Sequence, residues 1–174
     1  MSNMITKAVR DDLPVIYHLF EEAIRFQQLN NYKGWVSYDK AFIETDIEQG
    51  HLFKMITGND IVCIFSVYYS DALIWREKES GDAAYLHRIV INRNFAGQQL
   101  FKKVLDNTIQ LAKEKNLKYI RMDTWAENEK IISYYKSFGF SFVENYTTPE
   151  TENLPEQHRN LHVALLEKTI LQIG

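Results

Sequence analysis

Only one cysteine, Cys63, occurs in the 174 residues, so neither an intramolecular disulfide framework nor a multi-cysteine metal site can form. No apolar run approaches the roughly 20 residues that span a membrane. The opening MSNMITKAVR also lacks the long apolar core of a secretory signal. Positive charge is not in excess: the formal net charge of -3 argues against a nucleic-acid binder working by bulk charge, although it leaves room for a local basic patch. Internal repeats, low-complexity tracts and linkers rich in Pro, Gly and Ser are missing, which points to one domain over residues 1–174. A reducing cytoplasm is the expected address, and Cys63, between Val62 and Ile64, reads as a small buried hydrophobe in a strand.

What is present is ordinary for a folded domain: 45% hydrophobic and 25% charged residues, with enough chain for a full core. Ile5 to Val9 reads as a short strand. A helix follows in RDDLPVIYHLFEEAIRFQQL, with Asp11 or Asp12 as N-cap, Pro14 in the first turn and Leu13, Ile16, Phe20 and Ile24 at helical spacing. A second helix is expected over Tyr38 to Gln49, with Phe42, Ile43 and Ile47 as its stripe and Gly50 at its end. HLFKMIT and DIVCIFSVYYS, separated by Gly58 and Asn59, read as a hairpin.

DALIWREKESGDA reads as a polar excursion before a strand over Ala84 to Ile91. Gln98 to Lys115 carries the strongest helical pattern, ending on Asn116 as a left-handed cap. LKYIRMDTW alternates as a strand. NEKIISYYKSF is a short helix between the N-cap Asn128 and the stop Gly139. Two last strands are expected near Phe140 to Tyr146 and Leu161 to Leu166. The order implies an α/β fold with a mixed sheet, antiparallel early and with crossover helices later.

RNFAGQQLFKKVL sits where a strand runs through a polar turn into a helix, a place that suits a phosphate group, yet it holds one glycine. Together with its flanks, AYLHRIVINRNFAGQQLFKKVL and KYIRMDTWAENEKIISYYKSFGF, it resembles the coenzyme A-binding half of the GNAT family of N-acetyltransferases. The family pattern has a strand, a glycine-rich pyrophosphate loop, a helix and a second strand. An asparagine then starts a helix with a tyrosine seven residues on, and Gly-Phe comes four residues later. Asn128, Tyr135, Gly139 and Phe140 keep that spacing. His87, Arg88, Ile89, Val90 and Ile91 are similar to a bacterial branch whose fourth strand reads His-Arg followed by aliphatics. With Gly97 on the first loop glycine, Gln99 and Phe101 stand where further small residues are usual. The likeness implies the GNAT fold: a mixed, mostly antiparallel sheet of about seven strands flanked by about four helices.

The resemblance implies transfer of an acetyl group from acetyl-CoA, bound as cosubstrate without a metal, to a primary amine by direct attack in a ternary complex. Ala96, Gly97, Gln98, Gln99, Leu100 and Phe101 would cradle the pyrophosphate, because unpaired backbone N–H groups at a helix start need no particular side chain. Gln99 and Phe101 can serve if their angles are helical. Ile89 and Ile91 would offer backbone groups to the pantetheine arm, and the same strand an N–H to the oxyanion. Tyr135 falls on the position of the general acid that reprotonates the thiolate, whereas Tyr134 is better suited to packing. His87 is the candidate base, or else a satisfied strand histidine. Asn128 has two compatible jobs, capping the helix and touching the coenzyme arm.

Trp35, Tyr38, Trp75 and Asp123, with Tyr32 nearby, would form an aromatic, partly acidic acceptor pocket suited to a cationic amine. The same aromatics also suit a lid or a dimer interface, and Asp123 could instead pair with Arg121 or Arg88. The acceptor is a small molecule or a protein amine; no nucleic acid or membrane partner is expected, and the chain would be a monomer or homodimer. The rival reading is an acyl-CoA-binding or sensing module that kept the fold and lost turnover. A dinucleotide-binding Rossmann protein fits poorly, because the crossover lacks G-x-G-x-x-G.

Overall fold

Helical periodicity in the first third of the chain becomes two helices. The computed structural model describes residues 2–32 and 34–171. After strand β1 (Asn3–Lys7), helix α1 (Leu13–Leu29) buries Ile16, Leu19, Phe20 and Ile24. Asp12 stands at its N-cap, but its carboxylate accepts the Val9 N–H at 2.8 Å and pairs with Lys54 at 2.7 Å, bracing the turn before the helix instead of the helix itself. Helix α2 (Lys40–Glu48) is capped by Asp39, which accepts from the N–H groups of Ala41 and Phe42. Its buried stripe pairs Ile43 with a charged residue, Asp46, which is 0% exposed.

Strands β2 (Leu52–Thr57) and β3 (Asp60–Tyr68) form the expected hairpin around Gly58 and Asn59. The polar excursion is not all polar in structure. Ala72–Trp75 forms a short helix, α3, whose Ile74 and Trp75 are buried with Tyr85, Leu154, Val163 and Leu165. Strand β4 (Ala83–Ile91), helix α4 (Leu100–Glu114) and strand β5 (Tyr119–Trp125) make the crossover. Helix α5 (Glu129–Lys136) and strands β6 (Ser141–Thr147) and β7 (His162–Thr169) complete the chain.

The strands form one sheet in the order β1-β2-β3-β4-β5-β7-β6. Among the described strands only β4 and β5 pair in parallel, as a crossover helix requires. Cys63, Phe65 and Val67 of β3 pack with α4, while Ile64 packs with α1 and α2. Strand β4 begins with the same alternation, Ala84 and Leu86 joining the α4 side. It then changes parity: Ile89 and Ile91 lie on the α4 side and Val90 on the α1–α2 side. The cause is a β-bulge. Ser66 pairs with His87 and Ile64 with Val90, so Arg88 and Ile89 together oppose Phe65. Arg88 sits at φ 51, in the left-handed region, which costs a non-glycine residue about 1–2 kcal/mol. Among the described residues no helix is long and apolar enough to cross a membrane.

Trp75, expected from the sequence in an acceptor pocket, is instead 0% exposed, its ring 6.0 Å from that of Tyr85 and 4.5 Å from the Arg121 guanidinium. The apolar run Ala-Leu-Ile-Trp folds into α3 and carries the indole under the sheet. Trp75→Ala is therefore expected to destabilise the fold by about 3–5 kcal/mol, read as a lower urea midpoint. A loss below about 1 kcal/mol, the range of a surface change, would contradict this packing.

Candidate active site

Parallel pairing between β4 and β5 covers Ala83↔Tyr119, Ala84↔Ile120 and Tyr85↔Arg121, and the strands then part. A cleft of about 770 Å³ opens in the gap, bordered by Leu86 to Ile91 of β4, Met122 to Trp125 of β5, the start of α5, and Ala23, Phe26 and Gln27 of α1. That volume lies within the roughly 300–1,000 Å³ of small-molecule sites.

At one end of the cleft the chain leaves β4, turns at Arg93–Phe95 and enters α4. The helix starts at Leu100, two residues later than the periodicity of Gln98 suggests, because Gln99 is left-handed at φ 54, ψ 35. Gln99 thus departs from the helical angles expected of it, whereas Phe101 keeps them. Gly97, at φ 83, has the other left-handed conformation of the loop, and a Cβ there would meet nothing within 4 Å. Among the described residues, none accepts a hydrogen bond from the backbone N–H groups of Gly97, Gln98 or Gln99. Ala96 to Gln99 are exposed, while Leu100 and Phe101 turn their side chains inward. The loop therefore presents unpaired donors next to a helix N-terminus, the arrangement that holds a pyrophosphate. Arg93 borders the cleft at the same end, its guanidinium 3.6 Å from the centre of the Phe26 ring.

Helix α5 supplies the opposite wall. Asn128 Oδ1 accepts the Ile131 N–H at 3.1 Å, so it caps the helix, and it also borders the cleft. Tyr135 borders the cleft too, its ring 5.0 Å from Phe101 and 6.4 Å from Phe140. Its hydroxyl has no hydrogen-bond partner among the described residues. Burial, with smaller contributions from Tyr134 and Asp123, pushes the phenol well above its ordinary value and keeps it protonated. Tyr134 packs on Phe138 at 5.1 Å while remaining 45% exposed.

On the β4 wall, His87 lies between two carboxylates. Its Nε2 is 3.0 Å from Asp71 Oδ2 and its Nδ1 is 3.8 Å from Asp123 Oδ1. Asp71 Oδ2 and Asp123 Oδ1 are both buried, with the single imidazole between them. Burial opposes a charge on His87, but the Asp71 contact and the fields of Asp71 and Asp123 outweigh it, and the imidazole is raised above its usual value. Burial raises Asp123 to about 6, with Asp71 adding to the rise and His87 and Arg88 opposing it. His158, 6.4 Å from His87 between ring centres, is lowered well below the usual value by burial and by the charges of Arg88 and His87. The metal-capable atoms of Asp71, His87 and Asp123 lie within 4.8 Å of one another. The imidazole between the carboxylates and the Arg88 charge beside them already oppose their negative charge.

The aromatic wall is built around Trp35, whose ring is 6.0 Å from Trp125, 6.1 Å from His158 and 5.6 Å from Phe20. Gln27 Oε1 accepts the Trp35 N–H at 3.0 Å, and a Cβ on Gly34 would fall 2.0 Å from that oxygen, so a side chain there would have to displace the Gln27 amide. Tyr32 also borders the cleft. Tyr38 does not: its hydroxyl donates to Glu21 at 2.7 Å and its ring stacks on Phe20 at 5.2 Å. Arg121 and Arg88, expected as alternative partners for Asp123, pair with Glu167 and Asp46.

Several residues in or behind the cleft were not singled out from the sequence. Asp71 reaches His87 only because the β3–β4 connection folds back over the strand end. His158 comes from the polar loop before β7, and Trp125 is the last residue of β5. The run Arg93-Asn94 near the loop glycine was the available hint for Arg93.

Comparison with known proteins agrees with this geometry. The acetyltransferase (GNAT) family matches residues 15–140. The uncharacterized N-acetyltransferase YesJ of Bacillus subtilis (strain 168) is 26% identical over 130 residues, covering 70% of this chain and 71% of its own. A GNAT-family acetyltransferase from Listeria monocytogenes 4b F2365 superposes with a TM-score of 0.78 at 22% identity, over 96% of this chain and 94% of the other. AAC(6')-Ib, solved in complex with paromomycin and acetyl-CoA, superposes with a TM-score of 0.69 at 14% identity, over 97% and 94% of the two chains. A match over most of the chain, joined to the parted strands and the open N–H cradle, makes this protein a member of the GNAT family and an acetyl-CoA-dependent N-acetyltransferase.

Proposed function

We propose that the chain works as one domain that transfers the acetyl group directly to a primary amine of a small molecule or protein, with Tyr135 as general acid and His87 as base. The observation that carries this reading is that one cleft is bordered by an unpartnered tyrosine hydroxyl and a carboxylate-flanked imidazole, beside a loop of unpaired N–H groups. Bound acetyl-CoA supplies an activated acetyl thioester. Gly97, Gln98 and Gln99 donate backbone N–H groups to its pyrophosphate, helped by the start of α4 at Leu100 and Phe101 and by Ala96 before them. Ile89 and Ile91 line the path of its arm, with Asn128 across the cleft.

The acceptor enters between Trp35, Trp125 and Tyr32, an aromatic wall that favours a cation, with Asp123 at its inner end. His87 takes one proton from the ammonium, freeing the nitrogen lone pair. As the new C–N bond forms and the C–S bond breaks, a β4 backbone N–H stabilises the oxygen that gains charge. Tyr135 then gives a proton to the departing thiolate and recovers one from the nitrogen of the new amide, so that a neutral amide, a thiol and a neutral phenol remain, and His87 releases its proton to solvent. No step requires a metal. The buried free thiol of Cys63, pushed up to about 12 by burial, stays unreactive.

Tyr135→Phe is expected to lower kcat by about 10²–10⁴-fold and to leave coenzyme A affinity unchanged by calorimetry; full turnover in the variant would remove Tyr135 from the mechanism. The pH dependence has a defined sign. His87 must be neutral to act, and its pKa is raised, so kcat/KM should fall with acid through a limb above the ordinary imidazole value of about 6.5. Asp71→Asn removes a charge that favours the imidazolium and should move this limb to lower pH. The acceptor's own ionisation is common to both proteins, so an unmoved limb would exclude His87 as the titrating base. Gly97→Glu adds left-handed strain and like charge beside the pyrophosphate, and about tenfold weaker coenzyme A binding or worse is expected. Gly97→Ala, which adds the strain alone, should weaken binding less. Equal affinity in all three proteins would place the pyrophosphate elsewhere.

A further inference from the structure

Arg88 occupies a bulge position at which glycine would be unstrained, and its side chain leads to one place. Its Nε donates to Asp46 Oδ2 at 2.7 Å, and its Nη2 lies 2.6 Å from the same oxygen and donates to Tyr68 Oη at 2.6 Å. Ser66 Oγ donates to Asp46 Oδ2 at 2.6 Å and Tyr68 Oη to Asp46 Oδ1. Tyr68 is in turn stacked on His51 at 4.2 Å, and His51 is tied to β3 through Nδ1 and Val67 O at 3.0 Å. The two charged side chains are 4% and 0% exposed. The pair joins α2 to the middle of β4 and is braced by Ser66 and Tyr68 of β3, with His51, just before β2, stacked on Tyr68.

The sequence after His87 cannot choose a register by hydrophobicity. Ile89, Val90 and Ile91 are all aliphatic, and a shift by one residue would exchange their faces at little transfer cost. Arg88 is different, because its charge can be buried only where Asp46 meets it. In the observed register the bulge sets Ile89 and Ile91 on the α4 side and Val90 on the α1–α2 side, and all three border the cleft.

We infer that Asp46 and Arg88 are positioning residues for acetyl transfer: their buried ion pair holds the β4 bulge, and the bulge aims the backbone at Ile89 to Ile91 into the cleft. The inference rests on the reading that the coenzyme arm runs along Ile89 and Ile91. Arg88 borders the cleft, but its guanidinium is taken up by Asp46 and Tyr68. The pair works by holding Arg88 in a backbone conformation that an unanchored L residue at that position would leave.

The test replaces the pair by neutral residues, so that no buried charge is left alone. Asp46→Asn with Arg88→Ala removes the anchor and keeps a Cβ at the left-handed position. Asp46→Asn with Arg88→Gly removes the anchor and also the conformational penalty. If the pair acts through the bulge, the alanine variant should lose kcat by on the order of 10²-fold, the scale of an ångström of misplacement. The glycine variant should regain most of that loss and restore KM for acetyl-CoA. Melting curves give the folded fraction by which each rate is corrected. Equal losses in both variants, or corrected rates within about twofold of the parent in both, smaller than even a one-pKa-unit energy change, would overturn the inference. The underlying reading is checked separately on the parent enzyme: coenzyme A should shift the backbone amide resonances of Ile89 and Ile91. Unmoved amides would overturn the placement of the arm, and with it the inference.

Discussion

An interior strand normally spends its backbone donors and acceptors on both neighbours. β4 does so only up to Tyr85. Beyond that point its antiparallel partner β3 remains, while β5 has turned away. The rest of the molecule is arranged to make that loss of pairing tolerable. Helix α4 follows β4 after the loop and packs Phe101 against α5, so the strand end is anchored although one edge is open. Strand β5 keeps its full ladder with β7, from Tyr119↔Thr169 to Trp125↔Val163, and can leave β4 without losing its place in the sheet. The freed backbone groups face a cleft instead of a neighbour, which turns a defect in the sheet into a binding edge.

Two groups of buried charges lie close together and are built in opposite ways. Around Asp46, the oxygens meet Arg88, Ser66 and Tyr68, so the carboxylate is satisfied and the group serves rigidity. Around His87, the buried Asp71 Oδ2 and Asp123 Oδ1 share one imidazole, 3.0 Å and 3.8 Å away, so at most one of them is well bonded. A buried unpartnered acceptor costs about 1–3 kcal/mol, and protein chains seldom retain that cost away from a functional site. Arg88 links the groups, since it neutralises Asp46 and its field also acts on His87, Asp123 and His158. The structural pair thereby helps keep His158 neutral beside an imidazole that is drawn toward its charged form.

Much of this was legible in the sequence, for identifiable reasons. The long amphipathic pattern of α4, the Gly58–Asn59 hairpin and the Asn128 and Asn116 caps depend on local periodicity or backbone preference, and the structure has them all. The order of strands and helices was equally visible. What was not visible depends on distant contacts. Asp46 sits within an apolar stripe and reads as a solvated helix residue until Arg88, 42 positions away, is brought to it. Trp75 reads as a pocket aromatic because it lies on the connection between β3 and β4, yet four residues of helix suffice to bury it. The bulge is invisible in His-Arg-Ile-Val-Ile, where no residue announces positive φ. Asp71 had no signal at all, since only the return of the β3–β4 connection sets it beside His87.

The glycine-poor loop shows the same division between backbone and side chain. Two residues are left-handed, Gly97 and Gln99, so the loop needs unusual angles at two places and has glycine at only one. Gln99 is exposed, and its side chain can leave the concave side free for the N–H groups. Phe101, already inside α4, needs no special angle; its ring is buried against Tyr135, Phe138 and Phe140, so it adds bulk beneath the loop and none above it. The departures from small residues therefore fall where a side chain can point away from the phosphate. The strain at Gln99 is then a property of the loop itself, and binding an anion across the unpaired N–H groups would reward the conformation that the strain opposes.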